Sequence, residues 1–443
     1  MVRKNRELII IFIVTLIYNL VIPELSLDEV WNYGFCYNVL NGLVPYKDFN
    51  MIITPLYPYI GALFLKMGGD GVINFHIFNT LILILIFCYM RRNISNLYYV
   101  LYLLLLSVGM PNYSLLCILF IYILMNLEDM NKKDYMIGIV LGLVFLTKQN
   151  IGLLLCIPTI FLFDIKRIWK RIKGILLIVM CLLLYLIINN TLSEFIDYCF
   201  LGLSSFSKDN MEINYICIGI IIILGIYLLY RYIKIRDIKI LYVICFMGMA
   251  YPIVDKYHFI IGIIPAIGYI LENIKVKDNY LWMVKKINII FLLCSLITSW
   301  GLGMYEYKDN KYIIFSDLKV WKYRKVDSVT VDTTKEIVRY LKDKNKEEEI
   351  FIINPLAYLY KQEAGIPISG YDLLNNGNLG KNGSDRIIKE IDDICRVKEC
   401  SILISMMDID GEIKGQYSKE IIKYIDNNYK RIDMVSYFYR YKY

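Results

Sequence analysis

Asp28 and Glu29 are adjacent carboxylates that follow the first apolar run, in SLDEVWNYGFCYNVL. A carboxylate placed there can take a proton from an acceptor hydroxyl, or bind a divalent cation (Mg or Mn) together with a phosphate. Acidic residues in a first helical turn also favour the helix dipole, which requires no chemistry. Val30, Tyr33, Tyr37 and Leu40 recur behind the pair at helical spacing. Neighbouring side chains on a helix diverge, so only one of the two acids is expected to reach a substrate. Asp48, in PYKDF, reads either as a further substrate contact or as a turn cap. Lys148 and Gln149 close a later apolar run. A cation at that height suits a lipid phosphate, and an ammonium at a lipid boundary also serves as a plain anchor. Asp255, Lys256, Tyr257 and His258 lie between two further runs. The chain has two histidines, His76 and His258, and both map to the same end of their runs as Asp28. Each is either a hydrogen-bonded interface residue or a substrate contact.

The elements that must position these groups are apolar. Of the 443 residues, 57% are hydrophobic and 20% charged, against about 25% charged in a soluble domain. Long apolar runs lie near 8–23, 72–90, 97–110, 113–127, 135–148, 150–163, 174–190, 213–230, 239–254, 259–272 and 283–300. They predict an α-helical polytopic membrane protein of about eleven spans embedded in a lipid bilayer. This excludes an ordinary cytosolic enzyme, a disordered chain and a secreted disulfide scaffold. The first run follows Arg3, Lys4 and Arg6 and precedes no small-residue cleavage site, so it reads as an anchor with a cytoplasmic N-terminus. The segments then placed inside carry 20 Lys and Arg, and the outer loops before residue 301 carry 5. That asymmetry follows the positive-inside rule. It also explains the net charge of +8, which reports topology and implies no nucleic-acid partner.

The first outer loop, about 24–71, is expected to form two amphipathic helices on the membrane surface. Pro55, Leu56, Tyr59, Leu63 and Met67 mark the second, with Pro55 at its start. Phe195, Phe200, Leu203 and Phe206 mark an interfacial segment that could line a lipid groove. Residues 1–300 read as the transmembrane domain and 301–443 as a small extracytoplasmic α/β domain, with 24 basic and 23 acidic residues and only short apolar runs. There, Thr333 to Glu336 fits a capping box opening a helix that ends near Asn345. Ile350 to Ile353 and Ser401 to Ser405 read as buried strands, and Arg431 to Tyr439 as a last strand. Ser384 to Ile394 and Ser418 to Ile425 read as helices. Most cysteines lie inside spans as small apolar residues; a Cys395–Cys400 bridge is one alternative outside them.

The chain resembles the GT-C membrane glycosyltransferases, in particular the bacterial protein mannosyltransferase and aminoarabinose transferase group. Three stretches carry the resemblance: Asp28-Glu29 followed by GLVPYKDFN and TPLYPYIGALFLKMGG; GLVFLTKQNIG with Lys148-Gln149; and YPIVDKYHF with Asp255 and His258. Their order and spacing agree across about 1–272, and GIPISGYDLL looks like part of the family's extracytoplasmic domain. The resemblance implies a polyprenyl-phosphate sugar as donor, and a cell-envelope glycan, lipid or protein as acceptor. It places the catalytic acid on Asp28, with Glu29 second, and makes Lys148 a partner of the donor phosphate. Metal dependence does not carry over, since relatives differ in it. The chain departs from the family's frequent double proline at Thr54-Pro55. Two other classes share such a scaffold: a transporter or flippase of lipid-linked sugars, and a non-catalytic envelope assembly protein. Transporters more often carry broken or charged mid-membrane helices, whereas here the polar groups gather at one end of the runs.

Overall fold

The computed structural model describes residues 2–21, 27–94, 98–130, 132–203, 213–251, 253–272, 312–344, 348–354, 356–366, 379–409 and 419–443. The last predicted span, 283–300, and most of the GIPISGYDLL stretch lie outside them. Each of the other ten apolar runs is helical. They form α1 (Val2–Val21), α4 (Val72–Asn93), α5 (Tyr98–Leu106), α6 (Tyr113–Glu128), α7 (Asp134–Phe145), α8 (Gln149–Ile160), α9 (Ile165–Ile188), α11 (Tyr215–Ile235), α12 (Ile238–Phe246) and α13 (Lys256–Glu272). Three of them, α4, α9 and α11, are long and apolar enough to cross a membrane by length and composition. Of the others, α1 is 20 residues long but opens on charged residues, and turns at residues such as Lys148 and Phe161 shorten helices such as α7 and α8. The helix starts follow local chemistry. Asn112, Asp164, Asn214 and Asp237 each accept backbone N–H bonds at the N-termini of α6, α9, α11 and α12, where those donors lack intrahelical partners.

Between α1 and α4 stand α2 (Leu27–Leu40) and α3 (Leu56–Gly68), the two helices expected of the first loop. Pro55 precedes α3 as anticipated, and Tyr59, Leu63 and Met67 form an exposed apolar stripe along it. The other helix departs from the expectation. Nearly every residue of α2 from Glu29 to Asn38 is buried, so it is enclosed rather than half exposed. Its cover comes from the far end of the chain. Tyr358 of α15 (Ala357–Ala364) lies against Gly34, where an added Cβ would stand 2.2 Å from the ring. Tyr33 donates its hydroxyl to Gln362 Oε1 (2.7 Å), and Gln362 Nε2 donates to Asp70 O (2.8 Å).

The pair α7 and α9 crosses closely over glycine. A Cβ at Gly138 would meet Arg171 O at 2.1 Å. Beside that crossing Arg171 is fully buried and donates to Glu128 Oε2 (2.9 Å), Asp134 Oδ1 (2.9 Å) and Tyr242 Oη (2.7 Å). A buried guanidinium persists only when its donors are met in this way.

The C-terminal region is α/β. A hairpin of β1 (Tyr312–Phe315) and β2 (Lys322–Asp327) precedes α14 (Ser328–Lys342). A four-stranded sheet follows in the order β3 (Glu349–Ile353), β4 (Cys400–Ser405), β6 (Phe438–Lys442), β5 (Lys430–Val435). β3 and β4 are parallel, with Phe351 opposite Ile402, while β6 is antiparallel to both its neighbours. α16 (Gly383–Val397) and α18 (Lys419–Asn428) bury Ile387, Ile391, Ile421 and Ile425 against it. Two readings change here. α14 begins at Ser328, capped by Asp327 through Thr330 N (2.7 Å), so Thr333 and Glu336 lie inside it. The expected last strand is two, because Ser436 adopts a left-handed φ of 53° and turns the chain. Cys395 and Cys400 are both free. This region also docks on the helices, since Trp321, Val326 and Leu359 enter the core that α1 and α4 share.

Candidate functional site

Asp28 sits in the first turn of α2, and Asn112 Nδ2 donates to its Oδ2 at 3.0 Å. The Oδ1 of Asn112 accepts from Ser114 N (2.8 Å), which fixes the amide so that its NH2 faces the carboxylate. Asn112 is 1% exposed. It stands directly before the 113–127 run, where an Asn is an N-cap signal that carries no hint of the carboxylate it also meets. Burial raises the Asp28 pKa, and the charges of His258 and Lys148 partly oppose that rise. The carboxylate of Asp255 adds to it, and the Asn112 hydrogen bond opposes it. Four of the sequence-derived residues, Asp28, Lys148, Asp255 and His258, therefore share one electrostatic neighbourhood.

Lys148 lies in the turn between α7 and α8. That turn is held from the first loop, where Leu56 N donates to Leu146 O (2.9 Å) and Thr54 Oγ1 to Phe145 O (2.7 Å). The ammonium stands 5.3 Å from the centroid of the Tyr113 ring, a cation–π distance. Among the described residues no carboxylate comes within ion-pair distance of it. Gln149, its neighbour, is buried and donates to Ile52 O and Cys199 O, both at 2.8 Å. It joins the first loop to the 197–201 turn.

Asp255 precedes α13 and accepts from His258 N (2.7 Å) and from its ring Nδ1 (2.9 Å). Burial pushes the Asp255 carboxyl up, but these hydrogen bonds outweigh it and hold the pKa below the usual value. Asp255, Lys256 and Tyr257 line a cavity of 870 Å³ together with Asn214, Tyr215 and Ile216 from the start of α11. A parallel bridge between Ile213 and Val254 ties its two sides. Lys256 is exposed at its edge.

The remaining acids and the other histidine go elsewhere. Glu29 and His76 are each 1% exposed and meet at 2.6 Å, Oε1 to Nε2. The pair pins α2 to α4, one residue from Asp28, so the two adjacent acids do diverge: one is buried against a helix and the other faces Asn112. Asp48 accepts from Val44 N (2.7 Å) and lines a separate, smaller cavity. Among the described residues no three His, Cys, Asp or Glu side chains gather as a metal site.

No protein-family model matches the chain, and no curated protein matches it in sequence. Its structure does have counterparts. It is similar to ArnT from Cupriavidus metallidurans bound to undecaprenyl phosphate, with a TM-score of 0.59 at 10% identity, covering 98% of this chain and 96% of that one. The chain has the GT-C glycosyltransferase fold. The apo state of the same ArnT matches with a TM-score of 0.56 at 8% identity, covering 99% of this chain and 98% of that one. At that identity the fold is shared while the side chains are almost wholly this chain's own. The GT-C fold and the apolar helices make it a membrane protein.

Proposed function

We propose that this protein is a multi-pass membrane glycosyltransferase that moves a sugar from a polyprenyl phosphate to an acceptor on the outer face. The observation that carries the reading is that Asp28, aimed by Asn112, shares an electrostatic neighbourhood with Lys148, whose ammonium has no carboxylate within ion-pair distance among the described residues. The likeness in fold to a protein bound to undecaprenyl phosphate supports that donor class. In this reading Asp28 takes the proton from the acceptor hydroxyl or amine as its oxygen or nitrogen attacks the anomeric carbon. The bond from that carbon to the phosphate oxygen breaks, and the electron pair leaves with the polyprenyl phosphate. Lys148 stabilises the charge that gathers there. One displacement inverts the anomeric configuration. Burial keeps the Asp28 pKa high, which suits a general base, because proton transfer is most efficient when the base pKa lies nearer the working pH.

The cavity of 870 Å³ beside Asp255 and Tyr257 gives the sugar-phosphate room, and the exposed apolar faces of α9 and α11 leave lipid tails access from the bilayer. The N-terminus is cytoplasmic and the α/β region lies outside. A tag after Tyr443 should react only from outside; labelling only from inside would reverse the orientation. The decisive experiment is Asp28→Asn. It should abolish transfer from a polyprenyl-phosphate sugar while leaving membrane insertion and melting intact, and retained transfer would remove Asp28 from its role.

A further inference from the structure

A second cavity, of 210 Å³, lies where the 46–50 loop, the 190–198 segment and α16 meet. Both halves of the chain build it. Its seam is clamped by Arg386, whose guanidinium lies 4.6 Å over the Tyr198 ring, bonds the Tyr198 hydroxyl and stands 3.4 Å from Asp197 Oδ2. Lys381 N also donates to Asp197 Oδ1 (3.3 Å). With that clamp closed, the Nε–H of Arg386 is buried without a hydrogen-bond acceptor among the described residues. The nearest carboxylate oxygen, Glu390 Oε1, is 3.7 Å away, beyond hydrogen-bond range. A hydroxyl set between them accepts from the one and donates to the other. Facing them are Asp48, whose Oδ2 already accepts from Val44 N, and the amides of Asn50 and Asn190.

The charges restrict what fits. Asp48, Glu194 and Glu390 line the cavity against Lys47 and Arg386, and Arg386 is engaged by Asp197. An anion is therefore disfavoured. The volume lies below the roughly 300 Å³ at which drug-sized sites begin, so the occupant is a single compact group. Gln149 links the place to the donor side: its two hydrogen bonds run to Ile52 and Cys199, in the loop and the turn that wall the cavity, and it follows Lys148 directly.

We propose that this seam cavity binds one uncharged sugar unit, through hydroxyls bridging Arg386 and Glu390 and reaching Asp48 and Asn190. Its assignment to the acceptor glycan rests on the transferase reading; the binding itself does not. The test is saturation-transfer NMR on the full chain in detergent, with chitotriose and maltotriose as probes and glucose 6-phosphate as the anionic counterpart. At least one uncharged probe should receive saturation. Glu390→Gln and Asn190→Gly, on opposite walls, should each cut its occupancy fivefold or more with unchanged melting, since glycine tolerates the left-handed φ of 55° at position 190, and Asp28→Asn should leave it intact. Binding of neither uncharged probe, indifference to both wall variants, loss with Asp28→Asn, or preference for glucose 6-phosphate would each overturn the proposal. Failure of the transferase reading shows separately, as transfer retained by Asp28→Asn.

Discussion

Asn112 offers the sharpest test of how the site works, because its side chain does two separable things. Oδ1 caps α6 through Ser114 N, and Nδ2 donates to the Asp28 carboxylate at 3.0 Å. Serine also caps helices well but is too short to reach Asp28, so Asn112→Ser isolates the second role. A hydrogen bond to a charged group contributes about 1.5–3 kcal/mol, and one pKa unit corresponds to about 1.4 kcal/mol. Removing the donor should therefore raise the Asp28 pKa by about 1–2 units beyond the rise that burial already causes. The base works only when deprotonated, so the rate falls as pH drops through this pKa. Asn112→Ser should shift the acidic limb of kcat/KM to higher pH by that amount and leave the alkaline plateau near its parent value. Asn112→Ala should shift the limb equally and also lose about 1 kcal/mol of stability through the missing cap. The assay is transfer from a polyprenyl-phosphate sugar in detergent across pH, with thermal unfolding beside it. An acidic limb unmoved by Asn112→Ser, with plateau activity lost instead, would refute Asp28 as the titrating base.

Asp28→Asn should lose transfer yet melt no lower at neutral pH. A carboxyl whose folded pKa is raised adds stability only below its unfolded value, near 3.9, and that contribution is lost as pH rises through the folded value; a lower melting point at pH 7 would contradict this. Lys148→Ala should raise the donor KM and leave the acceptor KM unchanged, and a defect confined to the acceptor would remove Lys148 from the phosphate. Arg171→Met strands the buried carboxylates of Glu128 and Asp134. The loss should be about 3 kcal/mol, the low end for a broken buried pair, because Arg167 still reaches Asp134 at 3.1 Å; equal melting of the variant would show the cluster to be dispensable. Gly34→Ala should cost about 1–3 kcal/mol by overpacking against Tyr358, with much of it recovered in Gly34→Ala/Tyr358→Ala, and no recovery would mean that the contact is not what limits the site.

Composition and charge order carried the class of this protein. Among the described residues the long apolar runs become helices, since a chain in lipid must satisfy its backbone internally. The strands β3 and β4 were equally legible, because strands buried on both faces read as continuous apolar runs. Capping was legible only in part: Thr333 and Glu336 had the right spacing, but Asp327 had already started the helix. Local pattern does not say which of two caps comes first.

The residue types of the site were also present in the sequence as Asp28, Lys148, Asp255 and His258. That they share one neighbourhood was not, because 230 positions separate Asp28 from His258 and only the packing of α2, α6, α8 and α13 closes that distance. Tertiary structure also divided groups that look alike on paper. It buried Glu29 against His76 and left Asp28 facing Asn112; it turned Gln149 to two backbone carbonyls while Lys148 kept its ammonium beside the Tyr113 ring. It covered α2 with Tyr358 from more than three hundred residues away. Sequence alone determined which groups this protein holds and which solvent its helices require, because those depend on composition and period. Which groups meet was decided by helix crossings and by one side chain fitting over one glycine, which are contacts that no local pattern encodes.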